Sequence, residues 1–265
     1  MAVSANDSRR PRLASGRQLT IEKEISAQSS KGNLKKWYGA IDGVPSYLKT
    51  NSNPLKTDEG KECKSEIICC QLAALLGLPT VAYTLDRLHI DGLNYEICTS
   101  PDFTEKTKNY TTIAKLCNKA TSFSGRAKYE YVIGCIPHLK KWVDTVLLFD
   151  CIINNHDRHL NNFMLVADSP PEPCLCYDYG DSLFSTLETR EIKRALAMPL
   201  NYTQSKPFGS VHGAQMELIG KTALFPVFLP YVYKMVNAVL EKDRSKLINI
   251  WLKTKLQEFD LIKKD

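Results

Sequence analysis

Three oxygen-bearing side chains set the chemistry this sequence can do. Asp157 and Asn162 lie five residues apart in the stretch INNHDRHLNNFML (153–165), and Asp178 follows in CLCYDYG (174–180). The first stretch passes from a helical apolar pattern into a run dominated by Asn, His, Asp and Arg, then returns to apolar residues. A strand over FMLVA paired with one over CLCYDYG would bring Asn162 and Asp178 to one open end of a hairpin, with Asp157 nearby. A carboxylate and an amide oxygen so placed suit Mg²⁺, especially when phosphate oxygens complete its shell. The remaining carboxylate, Asp157, can orient or deprotonate an attacking hydroxyl, as phosphoryl transfer requires.

A site for phosphates also needs positive charge. Lys49, in the strand-like SYLK, is the candidate, and Glu66 follows seventeen residues later on a predicted helix. A buried ammonium is costly unless paired, so Glu66 would hold Lys49 toward the phosphates. Taken singly, these residues have plainer readings: a surface lysine, a solvated helix glutamate, an Asp in a turn, an Asn-rich helix cap. Capping does not account for Asp, Arg and two His together, followed by a second Asp across a predicted hairpin. Jointly, Lys49, Glu66, Asp157, Asn162 and Asp178 point to catalysis.

The elements that must position these residues follow from periodicity and turn formers. Residues 36–49 (KWYGAIDGVPSYLK) read as two short strands around the segment Gly39 to Pro45. After a polar loop over 50–61, ECKSEIICCQLAALLG places apolar residues at helical spacing, and Gly77 with Pro79 ends that helix. TVAYTLDRL and LNYEICT read as strands joined by an Asp91–Gly92 turn. Beyond a linker near 98–103 the pattern becomes helical, over 110–119 and over 128–153 with a break near Pro137. Leu139, Trp142, Val146, Phe149 and Ile153 share one face of the latter. Then come FMLVA, a Pro-rich turn DSPPEP and CLCYDYG, and from Leu183 a mostly helical remainder ending in two closing helices. The sum is an α+β chain of two lobes: residues 31–100 form a small β-rich N-lobe, residues 101–265 a mostly helical C-lobe. Ligands favour the cleft between such lobes.

Composition bounds the classes. The 265 residues are 43% hydrophobic and 24% charged, with a net charge of +6 that fits an anionic partner but no specific nucleic acid. No apolar run approaches about 18 residues, so no transmembrane segment is expected. Residues 1–30 read as a disordered basic arm, with four Arg in the first 17 residues and no apolar signal segment. The nine Cys follow no CxxC spacing and sit mostly among apolar residues, which points to free thiols in a reducing, cytoplasmic compartment.

With these residues in place, the chain resembles a known family. NNHDRHLNNFML followed by YDYG is similar to the catalytic and metal segments of HipA-like bacterial serine/threonine protein kinases, which share a DRHxxN arrangement with phosphoinositide kinases. Asn155, Asp157, His159, Asn162, Tyr177 and Asp178 fit the family's pattern. The resemblance, over roughly residues 35–182, implies a two-lobed protein-kinase-like fold that uses ATP and Mg²⁺. Asp157 would be the catalytic Asp, Asn162 and Asp178 the metal ligands, YLKT at 47–50 the ATP-lysine strand, and SEIICCQLAALLG the helix of its glutamate partner. No GxGxxG precedes Lys49, so Gly39 and Gly43 in GAIDG are the nearest candidates for a phosphate-covering loop. Ser46, near that turn, is a weaker candidate for the serine that controls such loops. With only about 35 residues before the hairpin, the chain looks like a compact, stand-alone relative.

His156 and His159 lack a third nitrogen or sulfur ligand, so zinc is not expected; His159 would hold the loop through backbone or Asp178. Arg158 would pair with a carboxylate or a phosphorylated residue in 181–210, where Ser182, Ser185, Thr186, Thr203, Ser205 and Ser210 are candidate self-phosphorylation sites. The leading function is thus transfer of the γ-phosphate of ATP to a protein hydroxyl on a partner of unknown identity. The alternatives are a lipid or small-molecule phosphotransferase and a nucleotide-binding pseudokinase; oligomeric state and host are left open.

Overall fold

Short stretches of alternating apolar and polar residues build most of the N-lobe as a single antiparallel sheet. In the computed structural model, which describes residues 11–25, 35–52, 61–104, 107–198, 200 and 203–263, its strands are β1 (Arg12–Leu13), β2 (Leu19–Ile25), β3 (Lys36–Ile41), β4 (Val44–Thr50), β5 (Thr84–Ile90) and β6 (Leu93–Pro101). They lie in the order β1-β5-β6-β4-β3-β2. Leu13, Trp37, Ile41, Leu48, Leu88, Tyr95 and Ile97 form a small core on one face. Successive side chains alternate faces along a strand, so Lys49 points away from Leu48, toward α1 (Glu62–Leu75). That helix is buried nearly all round, through Ile68, Cys69, Leu72 and Ala73, and ends at Gly77 with φ 80°.

Two expectations change here. The basic arm is not a free arm over its whole predicted length: residues 12–13 and 19–25 are strands of the sheet, while 1–10 and 26–30 lie outside the described residues. Leu13 is buried in the sheet core, and Ser15 and Arg17 bond the buried Asp86 carboxylate at 2.5 and 2.9 Å, which fixes the segment. The β3–β4 turn is also narrower than expected. It consists of Asp42 and Gly43, both at positive φ (50° and 77°), and Gly39 sits inside β3 opposite Ser46.

The C-lobe packs around α4 (Lys140–Ile152), whose Val143, Val146, Leu147, Phe149 and Ile152 are fully buried. A three-stranded sheet, β7 (Tyr110–Thr112), β8 (Met164–Val166) and β9 (Glu172–Pro173), lies in the order β7-β8-β9. The remaining helices are α2 (Ile113–Leu116), α3 (Gly125–Cys135), α5 (Thr189–Ala195), α6 (His212–Met216), α7 (Leu229–Val239) and α8 (Lys242–Glu258), with 3₁₀ turns at Asn118–Ser122, Pro137–Leu139 and Leu160–Asn162. Helix α8 locks the centre: Trp251 donates to the Ile152 carbonyl at 2.7 Å, and Arg244 donates to the Phe184 and Leu187 carbonyls at 2.6 and 2.9 Å.

The predicted hairpin partner of β8 also moves. Strand β9 falls in the Pro-rich segment, at the sheet edge where Pro costs no ladder bond. CLCYDYG leaves the sheet instead: Cys176 bridges to Thr80, and Asp178 takes a positive φ of 63° that no strand accommodates. Residues 110–112 are strand, not helix, with Thr112 capping α2 through its side chain. Among the described residues, the segment after Leu183 carries the short helices α5 and α6 before the two closing ones.

Candidate active site

Lys49 is the centre of the site. Its ammonium lies 2.7 Å from Glu66 Oε1 and 2.9 Å from Asp178 Oδ1, which joins β4, α1 and the turn after Cys176. Burial works against the charge on Lys49, but Asp178 and Glu66 outweigh it and hold its pKa well above the usual lysine range. Asp178 shows the reverse: Lys49 first, with help from Lys36, drives its pKa below the usual carboxylate range despite burial. Glu66 is itself fixed, since Oε2 accepts the Tyr179 N–H at 2.7 Å. Gly180 is required by this closeness, because a Cβ there would lie 2.9 Å from Lys49 Nζ and 3.3 Å from Glu66 Oε1.

Asn162 Nδ2 lies 3.1 Å from Asp178 Oδ2. A rotation of its amide presents Oδ1 at the same place, so one carboxylate and one amide oxygen are side by side. That donor set fits a hard divalent cation whose remaining ligands are phosphate oxygens and water. Next to it opens a cavity of about 240 Å³ whose lining is both charged and apolar. Lys36, Lys49 and Asp178 supply charge, and Tyr47, Leu48, Phe103, Met164 and Tyr177 form an apolar slot, with the Phe103 and Tyr177 ring centroids 5.6 Å apart. A flat heteroaromatic base fits the slot and a phosphate chain fits the cations.

The loop bearing Asp157 is held from beneath. Arg158 is fully buried and bonds Asp150 with both Nε (2.9 Å) and Nη2 (3.0 Å). Its Nη1 donates to the Tyr177 carbonyl at 2.8 Å, and its guanidinium lies 5.3 Å from the Tyr179 ring centroid. Asn155 donates to Asp150 at 2.8 Å and accepts the Asp157 N–H at 3.1 Å. This lattice leaves the Asp157 side chain 36% exposed and bonded to Lys206 Nζ at 2.6 Å.

The structure thus brings Lys49, Glu66, Asn162 and Asp178 together, with Asp157 on the loop that leads to Asn162. Gly39 and Gly43 do not join them. Lys36 pairs with Lys49 while Ile41 pairs with Val44, so the turn at Gly43 is at the opposite end of the hairpin. At about 3.3 Å per residue that is roughly 20 Å from Lys49. Gly39 serves β2 instead, since a Cβ would lie 2.0 Å from the Thr20 carbonyl oxygen. Ser46 is buried and donates to Val44 in the same hairpin. His159 does not bond Asp178, and its Nδ1 has no partner among the described residues. Of the two partners expected for Arg158, the structure has the carboxylate, that of Asp150.

Sequence reading missed Lys36, Asp150 and Lys206. Lys36 had a signal, because a two-residue Asp42–Gly43 turn puts residue 36 opposite 49. Asp150 sits one helical turn before the loop, on α4, and reads as one polar residue in an apolar run. Lys206 comes from 49 residues away along the chain and has no local signal.

No family model and no curated protein matches the sequence. Solved structures do match in shape. A structure described as the Helicobacter pylori proinflammatory kinase CtkA aligns with a TM-score of 0.65 and 14% identity, over 91% of this chain and 93% of that one. HipA from a Shewanella oneidensis toxin–antitoxin complex aligns with a TM-score of 0.43 and 11% identity, over 91% of this chain and 66% of that one. An aminoglycoside phosphotransferase, APH(4)-Ia, aligns with a TM-score of 0.30 and 8% identity, over 91% and 88%. The chain has the two-lobed α+β kinase fold seen in CtkA.

Proposed function

We propose that this chain is a phosphotransferase that uses ATP and Mg²⁺ to phosphorylate serine or threonine hydroxyls of a protein acceptor, itself included. The observation that carries this reading is the single cluster Lys49–Glu66–Asp178–Asn162 beside an apolar slot. Lys49, fixed by Glu66, meets the α- and β-phosphates, and Lys36 adds a second cation to the same cavity. Asp178 and Asn162 supply the oxygens that would hold Mg²⁺, which neutralises charge on the transferred group when bound. Asp157 orients the acceptor hydroxyl and takes its proton, and Lys206 fixes the Asp157 carboxylate and sets positive charge beside it.

The test is transfer of radiolabelled γ-phosphate with and without Mg²⁺, offering protein, phosphoinositide and aminoglycoside acceptors, with mass-spectrometric mapping of any phosphate gained. Asp157→Asn should lower kcat by about a hundredfold or more while the fold survives. Transfer at the parent rate by that variant removes the role given to Asp157, and preferred transfer to lipid or sugar replaces the protein acceptor. Of the six candidate hydroxyls in 181–210, Thr186 and Ser210 are exposed whereas Ser182, Ser185, Thr203 and Ser205 are buried. Among those six, self-phosphorylation should therefore map to Thr186 or Ser210.

A further inference from the structure

A second cavity, of about 260 Å³, opens beside the loop that carries Asp157, at His159, Leu160 and Asn161. It is bounded by α2, the 118–122 turn, α3, that loop and the Lys206–Pro207 segment. Ala114, Ala120, Leu160 and Pro207 give it apolar walls, and its two charged groups are both cations, Lys206 and Lys128. Lys206 lines this cavity and is also the residue bonded to Asp157, so one side chain links the two.

Lys128 is the informative member. It is half-buried on α3 and makes no ion pair or side-chain hydrogen bond among the described residues. Burial alone depresses its pKa, with no carboxylate to offset that cost. Lys128 thus brings an unpaired positive charge to the apolar walls of the recess, where an anion seated beside it would be attracted. The methylenes of a short acidic side chain match the walls, and its carboxylate matches Lys128, the cation of the cavity that is not already paired.

Resting on the kinase reading above, we infer that this cavity seats an acidic side chain next to the acceptor hydroxyl, so that the chain selects serine or threonine in acidic peptides, with Lys128 the specificity-determining residue. The net charge of +6 on the whole chain favours approach of the same substrates.

Peptides of one length, each with a single serine and with Glu, Ala or Lys placed in turn at the three positions on either side, test the inference with the full chain. At one position Glu should lower KM about tenfold relative to Ala. Lys128→Glu should reverse that ranking in favour of Lys at the same position, while Lys128→Arg retains the preference for Glu. Equal thermal melting of the three proteins establishes that the fold is unchanged. The same ranking in parent and Lys128→Glu, or a preference for Lys in the parent, overturns the assignment while leaving phosphate transfer intact. Failure to phosphorylate any peptide, with no self-phosphorylation, overturns the kinase reading and this inference with it.

Discussion

At the scale of single residues, the site is a set of charges that each exist because of another. Asp178 has its pKa depressed by Lys49, so the stability it lends is present above the ordinary carboxylate value and is lost only as pH falls through the depressed one. Lys49 has its pKa raised by Asp178 and Glu66 against the effect of burial; its contribution holds below the ordinary lysine value and is lost as pH rises through the raised one. Between about pH 5 and 9 neither group changes state. His212 behaves differently. It is fully buried on α6, and burial pushes its pKa down to about 3 from 6.5. The unfolded chain therefore takes up that proton first, and stability falls as pH drops from about 6.5 toward 3. Urea midpoints measured from about pH 7 down to 4.5 should decline in the parent. His212→Phe should flatten the decline, and Asp178→Asn should leave it in place. An unchanged slope in His212→Phe removes the histidine as its source.

At the scale of elements, the loop that carries Asp157 is held by a buried ion pair, and this is its most vulnerable point. Arg158 and Asp150 are both fully buried, and each satisfies the other together with the Tyr177 carbonyl and Asn155. Removing one partner leaves a charge with no water and no counter-ion, a loss of about 3–5 kcal/mol. Asp150→Ala should show that loss in urea denaturation; a change under about 1 kcal/mol would mean that water or another acceptor replaces the carboxylate. The pair also shows why the sequence was legible only in part. Five polar residues jointly exceeded what capping needs, so the loop and YDYG were readable as chemistry. The residues beneath were not, because Asp150 interrupts an apolar helix by only one position. The hairpin turn was read as the whole segment Gly39 to Pro45 when Asp42–Gly43 was the two-residue signal, and that breadth left the register open and hid Lys36. LTIEKEI was absorbed into a charged arm, although Leu19 and Ile21 pack against the sheet core. CLCYDYG looked like a strand by composition, but the left-handed backbone at Asp178 is set by its contacts with Lys49 and Asn162, which no local pattern encodes.

At the scale of the whole molecule, the cluster spans both lobes. Lys49 belongs to the sheet, Glu66 to α1, and Asn162 and Asp178 to the helical lobe. A ligand held by all four must therefore stabilise the chain as a unit, by RT ln(1 + [L]/Kd), which is about 2.7 kcal/mol at a hundredfold excess over Kd. Thermal melting with ATP, with Mg²⁺ and with both separates binding from chemistry. Mg²⁺ with ATP should raise Tm more than ATP alone in the parent. Asp178→Asn should lose the Mg²⁺-dependent increment, because it removes the carboxylate offered to the cation. Asp157→Asn should keep that increment while losing transfer, because its side chain bonds Lys206 and does not line the cavity beside Lys49. A chain that only binds nucleotide would show the parent increment and no transfer in any variant. A chain in which Asp178 and Asn162 do not share a cation would show no Mg²⁺-dependent increment at all.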